Sequence, residues 1–293
     1  AALTVPDNAK CTVVGTSFEE GSGAPDVWSQ KLDHDYGYTQ IFKTAAEMTN
    51  TSRATVYRGY ADEWQRIWNL KLREHKVDIE RAMLFGMRGS TNSINYTDGV
   101  VGHIIANSQG QLADEAQVSY TEDKGYLKTI TAANWSYDSL LSDFEVIFDP
   151  ARGGGASKLA LASLPVVSHF NKLGGFMDST IKVGTDANAF GYNFERSTGS
   201  FGHRVMKIET VHGDLSMVKE PLFRGNSAGF LAMVDLDHVS YRPLVGNGVN
   251  RDTSITTNVQ QADEDLRKDM ILTEAGLEVS LPETHALIHL QGV

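Results

Sequence analysis

Between Gly59 and Gly86 the chain carries neither glycine nor proline. The stretch Asp62 to Phe85 reads DEWQRIWNLKLREHKVDIERAMLF. Trp64, Ile67, Trp68, Leu72, His75, Ile79, Ala82 and Met83 recur at steps of three and four, which is one face of an α-helix. Arg66, Lys71, Arg73, Lys76, Asp78 and Glu80 fall mostly off that face. Asp62 and Glu63 stand where the positive end of a helix dipole favours acids. At 1.5 Å per residue such a helix is about 36 Å long. A rod of that length crosses a whole domain, so the rest of the fold has to be arranged along it.

What precedes the helix has a different character. In residues 1–60, Val13 and Val14 read as a short strand, and Gly15, Gly21, Gly23 and Pro25 as loop. From Val27 to Tyr57 apolar residues are sparse and Thr, Tyr, Gln and Ser fill the gaps, which favours extended chain over helix. Residues 17–58 have a weak core of their own, and so long a stretch without a helical pattern should have a job of its own.

Beyond the helix the reading is mixed. Val100, Ile104 and Ile105 mark a candidate strand, and Phe144-Glu-Val-Ile-Phe148 reads as a buried one, ended by Arg152-Gly-Gly-Gly155. Ser157 to Leu173 reads as helical, with Pro165 opening a second segment and Gly174 stopping it. Residues 184–203 read as loop. The last ninety residues read as β. Met206 and Ile208 alternate with Lys207 and Glu209, Gly213-Asp214 marks a hairpin, and Leu215–Val218 returns. Phe230 to Tyr241 reads as one strand with a bulge or change of face. Leu277, Val279 and Leu281 alternate with polar neighbours, Pro282-Glu-Thr turns, and Ala286–Leu290 runs back.

Composition excludes several function classes. One cysteine among 293 residues allows no internal disulfide and no Cys-rich zinc module. Apolar residues at 41% are too many for a disordered chain, and no apolar run is long enough to span a bilayer. A formal net charge of −11 argues against a dedicated nucleic-acid binder, which needs clustered Lys and Arg.

The chemical motifs are thin. Gly225-Asn-Ser-Ala-Gly229 matches the G-x-S-x-G nucleophile elbow, and Gly153-Gly154-Gly155 stands upstream where an esterase keeps its oxyanion glycines. The elbow needs a strand before it and a helix after it, whereas a strand-like run follows Gly229. A Gly-rich loop between two strands is the preferred reading. His285 and His289 are four apart, but on an extended chain they lie about 13 Å from each other, too far to share one ion. Asp235, Asp237 and His238 are adjacent without a third anchored partner, and all five of these residues read as surface or interface positions. Cys11 reads as an inert thiol. The sequons at Asn50, Asn95 and Asn134 carry no weight without a secretory signal. No Walker loop is present, and Gly246-Asn-Gly248 stops short of a dinucleotide fingerprint. No catalytic, cofactor-binding or metal residue is assigned.

Four segments in order carry a resemblance. They are Tyr38-Thr-Gln-Ile-Phe-Lys-Thr44, Arg73-Glu-His-Lys-Val-Asp-Ile-Glu-Arg-Ala-Met-Leu-Phe-Gly86, Ala232-Met-Val-Asp-Leu-Asp-His-Val-Ser-Tyr-Arg-Pro-Leu244 and Leu272-Thr-Glu-Ala-Gly-Leu-Glu-Val279. From about residue 17 to the C-terminus the chain resembles a branch of the tailed-bacteriophage major capsid proteins with the Hong Kong 97-type fold. The resemblance implies an α+β fold. Residues 1–60 would be the N-terminal arm and extended loop, 61–114 the first part of the peripheral domain with the spine helix, 115–202 the axial domain, and 203–293 the second part of the peripheral domain. It implies a structural protein, not an enzyme and with no cofactor, that assembles into hexamers and pentamers of an icosahedral shell around double-stranded DNA. Further partners of such a shell are a decoration or cement protein, a portal and a maturation protease. The location would be the virion head, assembled in the bacterial host cytoplasm, with no membrane partner.

Relatives of this type usually have a longer N-terminal part, which a capsid protease often shortens, and the AALTV start is expected to be such a new end. Some relatives crosslink lysine to asparagine between subunits. Lys31 and Lys43 lie in the arm, no partner is identified for them, and no crosslinking is expected. The rival readings are an encapsulin-like compartment shell and, further off, a serine esterase using Ser227.

Overall fold

In the computed structural model the described residues are 15–25, 35–56, 58–59, 62–108, 118–119, 125–181, 194–198 and 204–292. The strand expected at Val13 and Val14 lies outside them. The chain divides into two units, Ala1–Tyr36 and Gly37–Val293. In the described part of the first, Ser22 N–H donates to the Glu19 carbonyl across a turn, and Phe18 is exposed.

The second unit is α+β. It begins with β1 (Gln40–Thr49), a short α1 (Asn50–Ala54), the long α2 (Glu63–Phe85), a hairpin of β2 (Gly89–Thr91) and β3 (Ile94–Tyr96), and α3 (Val100–Asn107). Then come β4 (Val118–Ser119), β5 (Tyr126–Thr131), α4 (Tyr137–Ile147), β6 (Ser157–Ala162), α5 (Leu164–Ile181), β7 (Phe194–Thr198), β8 (Arg204–Glu209), β9 (Asp214–Lys219) and β10 (Phe230–Val234). The chain ends with β11 (Val239–Pro243), a hairpin of β12 (Val245–Gly246) and β13 (Val249–Asn250), β14 (Ser254–Thr256), the long β15 (Leu266–Val279) and β16 (Ala286–Gln291).

The expected spine helix is α2. The Asp62 side chain caps it by accepting the Gln65 N–H at 3.2 Å, and it stops at Gly86. A Cβ at Gly86 would stand 2.4 Å from the Ala82 carbonyl oxygen and 2.5 Å from that of Thr97, so the helix end fits there only without a side chain. α2 lies on a four-stranded sheet in which β1 and β11 flank β15, with β14 also on β15. His75 is buried and ties α2 to both β1 and β15. Its Nδ1 is 2.9 Å from Thr44 Oγ1 on β1, and its Nε2 is 2.9 Å from Thr273 Oγ1 on β15. Burial holds this imidazole below its ordinary range.

The second sheet has eight strands in the order β4-β5-β16-β10-β6-β9-β8-β7, and its β16–β5 and β6–β9 pairs are parallel. Every residue of β10 is buried. Leu231 and Met233 enter one core, with Trp135, Phe144, Phe170 and Ile288. Phe230, Ala232 and Val234 enter the other, with Leu84, Ile104, Phe223 and Leu287. A central strand covered on both faces has no polar alternation to show. Each fully buried side chain of this size contributes about 1.5–3 kcal/mol.

Four expectations are corrected. Val100, Ile104 and Ile105 lie on helix α3, not a strand. The Phe144–Phe148 run closes helix α4, whose Ser136 cap accepts the Ser139 N–H at 3.4 Å and whose Leu140, Phe144 and Ile147 form one buried stripe. Ser157–Ala162 is strand β6, and the helix after it runs past Gly174 to Ile181. The run Phe230–Tyr241 is two strands in different sheets, parted by a 3-10 turn at Leu236–His238. Of residues 184–203, Phe194–Thr198 form β7 and the others lie outside the described residues. The weak core expected for residues 17–58 does not hold for β1, which pairs along all ten residues with β15 and buries Phe42, Ala46 and Met48.

Candidate functional site

The nucleophile-elbow motif is the first place to look for chemistry. Gly225–Ser227 form a 3-10 turn, Ser227 is buried, and its hydroxyl donates to the Arg224 carbonyl at 3.0 Å. Strand β10 follows instead of a helix. A groove of about 810 Å3 at the C-terminal end of α2 is lined by Arg81, Phe85, Leu222, Arg224, Ser227 and Phe230, with Pro221 and Asn226. No imidazole or carboxylate is among these lining residues, and the Ser227 hydroxyl is spent on the Arg224 carbonyl.

Two of the three upstream glycines, Gly154 and Gly155, serve another purpose. Gly155 N–H donates to Asp235 Oδ2 at 2.8 Å, and a Cβ on Gly154 would meet Lys158 Nζ at 2.7 Å. They close over a buried charged cluster. Lys158 Nζ donates to the Thr284 carbonyl at 2.6 Å, lies 3.9 Å from Asp235 Oδ2 and stands 5.7 Å from the centre of the Phe148 ring. Asp235 Oδ1 accepts the Asp237 N–H, and Asp235 N–H donates to His285 Nδ1 at 3.1 Å. Arg152 donates twice to the Glu283 carbonyl, at 3.0 and 2.7 Å. The cluster ties the start of β6, the β10–β11 junction and the turn before β16.

The electrostatics follow from that enclosure. Burial pushes Lys158 down to about 8, with Asp235 opposing and Arg152 assisting. Burial also pushes His285 down to about 4, and Lys158 adds to it. For Asp235 burial acts upward, but the Gly155 and Asp237 N–H bonds and Lys158 outweigh it and hold the carboxyl below its usual range. Asp235 and His285 are therefore interior residues, correcting the surface reading, while Asp237 is exposed and His238 half-buried. His289 is half-buried with its ring 5.1 Å from that of Phe230. Cys11 lies outside the described residues.

A second buried carboxylate was not singled out from the sequence. Asp143 accepts from Tyr126 Oη at 2.8 Å, from Trp135 Nε1 at 3.0 Å and from Lys128 Nζ. All of these groups are donors to the same two oxygens, and the arrangement is a brace between α4, β5 and the loop at Trp135. Among the described residues no group of three or more His, Cys, Asp or Glu could hold a metal ion, and no helix is long and apolar enough to cross a membrane.

What the surface offers is apolar and extended. On α2 only His75 and Leu84 are fully buried; Trp64, Ile67, Trp68 and Leu72 are half-covered, and Arg267 lies 4.8 Å above the Trp64 ring. The β2–β3 and β12–β13 hairpins turn through Asn92-Ser93 and Asn247-Gly248, all at positive φ. They carry the exposed apolar residues Ile94, Tyr96, Val245 and Val249. Stacked tryptophans with an arginine, and apolar hairpin tips, are features of surfaces used for binding protein.

The sequence profile of the SU10 major capsid protein family matches residues 6–291. The chain belongs to that family. A major capsid protein of Pseudomonas phage PaMx41 is 29% identical over 256 residues, covering 84% of this chain and 54% of the relative. The chain thus spans about half the length of that curated relative. The fold is also that of solved capsids. A structure from Mycobacterium phage Patience superimposes with a TM-score of 0.53 at 15% identity, covering 95% of this chain and 77% of the other. The mature capsid of bacteriophage PhiM1 does so at 0.55 and 13% identity, covering 96% and 80%. At these identities the likeness establishes the fold, the Hong Kong 97-like α+β arrangement expected from the four segments. For this SU10-family chain the candidate site is its surface, and the buried clusters keep that surface in shape.

Proposed function

We propose that this chain is the structural tile of a tailed-phage head. Many copies form hexamers and pentamers that close into an icosahedral shell around double-stranded DNA. The observation that carries this reading is the family match over residues 6–291. The half-covered face of α2 and the apolar hairpins support it, since both are surfaces that a tile would bury against its neighbours. In this reading residues 1–60 are arm and extended loop, 61–114 and 203–293 form the peripheral domain, and 115–202 the axial domain. The role is non-enzymatic, in keeping with the capsid-protein family that the chain matches. The protein resides in the virion after assembly in the host cytoplasm, alongside a portal, a maturation protease and a decoration protein. A net charge of −11 suits a wall that encloses DNA without gripping it.

Negative-stain electron microscopy of the purified protein tests the reading. Closed angular shells are expected, and nucleic acid inside shells from infected cells. Persistent monomers under all assembly conditions would sink it, and a protein cargo in place of DNA would move the assignment to a compartment shell.

A further inference from the structure

β1 is an edge strand. All ten of its residues pair with β15, and among the described residues no strand pairs with its other side. Alternate N–H and C=O groups along that side therefore face outward without a ladder. Long edges are usually blunted by proline, by a bulge or by charge. β1 has no proline, its ten-residue register is continuous, and it carries only two charges, Lys43 and Glu47.

The positions of those two charges choose a partner. In an antiparallel pair, residues directly opposite share a face. If β1 met a second β1 with Lys43 opposite Lys43, or with Glu47 opposite Glu47, like charges would meet. One register places each Lys43 opposite the other strand's Glu47, twice, and it centres on Ala45. On the same outward face Ile41 then stands opposite Thr49. On the inward face Phe42 stands opposite Met48, an aromatic–sulfur pair, and Thr44 opposite Ala46. The outward residues Ile41, Lys43, Ala45, Glu47 and Thr49 are all exposed, and the inward Phe42, Ala46 and Met48 are buried, so both faces match in one register. Glu47 also lies 3.1 Å from Lys268, its register partner on β15, an exposed pair that Glu47 would share with Lys43 of the second copy.

We infer that β1 joins β1 of a second copy in an antiparallel pair about a two-fold axis at Ala45, continuing the four-stranded sheet from one copy into the next. This rests on the reading of the chain as a self-assembling tile and names one of its contacts.

Cysteine crosslinking of the full chain tests it. With Cys11→Ala to remove the native thiol, Ala45→Cys places two thiols across the axis. Opposite Cα atoms in an antiparallel pair lie about 4.5–5.5 Å apart, within disulfide range. Ile41→Cys places its two copies about eight residues apart along the pair, roughly 27 Å. Under mild oxidation the Ala45→Cys protein is expected to run as a covalent dimer on a denaturing gel, and the Ile41→Cys protein as a monomer. In the Ala45→Cys background, Lys43→Glu should slow dimer formation by about tenfold by opposing like charges twice, and adding Glu47→Lys should restore most of the rate. Shells without Ala45 dimers, or equal crosslinking at Ile41, would overturn the pairing and leave the tile reading standing. Dimers without shells would support the pairing and count against the tile. Neither shells nor dimers would overturn both. A charge swap that restores nothing would overturn the register.

Discussion

Acid should loosen this fold through one identifiable imidazole. His285 is 1% exposed, its Nδ1 accepts the Asp235 N–H, and Lys158, Asp235, His238 and His103 are the charged or titratable groups around it. Burial first, and Lys158 second, bring it from 6.5 to about 4. The folded value lies below the unfolded one, so as pH falls the unfolded chain binds the proton first. Stability from this group is complete above the unfolded value and is lost as pH falls from about 6.5 toward 4. At 1.36 kcal/mol per unit the whole loss is on the order of 3 kcal/mol, with about 2.5 kcal/mol of it gone by pH 4.5. Burial depresses His75 and His289 in the same direction, so the measurement has to isolate His285. His285→Asn does this, because the amide oxygen can take the place of Nδ1 as acceptor. Urea unfolding of both proteins, followed by tryptophan fluorescence between pH 7 and 4.5, should give curves of stability against pH that converge as pH falls. The wild type should lose about 2.5 kcal/mol more than the variant. Parallel curves would refute the reasoning, since they would mean His285 is protonated equally in both states.

Three further outcomes are expected. Asp143→Ala strips the acceptor from Tyr126, Trp135 and Lys128 at once and should cost at least about 3 kcal/mol by chemical denaturation; Asp143→Asn, which keeps an oxygen there, should cost less. Gly229→Ala would put a Cβ 1.9 Å from the Leu290 carbonyl oxygen at the β10–β16 join and should cost at least about 1–3 kcal/mol, read as a lower melting temperature. Lys31 and Lys43 should form no covalent bonds between subunits, so boiled wild-type shells should run as one band on a denaturing gel; a ladder of oligomers would contradict this.

The parts legible in the sequence are those whose signal is local. α2 shows because its apolar face repeats over six turns with an acid cap and a glycine stop. The β8–β9 hairpin shows because Gly213-Asp214 sits between two alternating runs, and β16 because a proline turn precedes it. Where reading failed, the burial pattern contradicted the local preference. Ser157-Lys-Leu-Ala-Leu-Ala162 is composed of helix formers, yet Lys158, Ala160 and Ala162 are buried in alternation inside an eight-stranded sheet. Phe144–Phe148 read as a strand because the run is short and apolar, although Leu140, Phe144 and Ile147 already held helical spacing. The Lys158 cluster was out of reach for another reason. Its partners Asp235 and Thr284 come from strand ends far along the chain, and no local pattern announces that a lysine will be interior. Gly153–Gly155 drew notice as an oxyanion loop, and the partner of the Gly155 N–H is the Asp235 carboxylate.

The pairing of β1 with β15 also sets a clock. Gln40 is partnered by Ala275, 235 residues further along the chain. At about 5–20 residues per second, a ribosome needs roughly 12–47 s to make the second strand after the first. Throughout that interval β1 has no sheet to join, so neither of its sides is held flat and straight for a neighbour. The strand is held along one side only after residues 266–275 have been made. Until then both sides of the strand are open, which is the state in which a nascent chain is most exposed to wrong pairings.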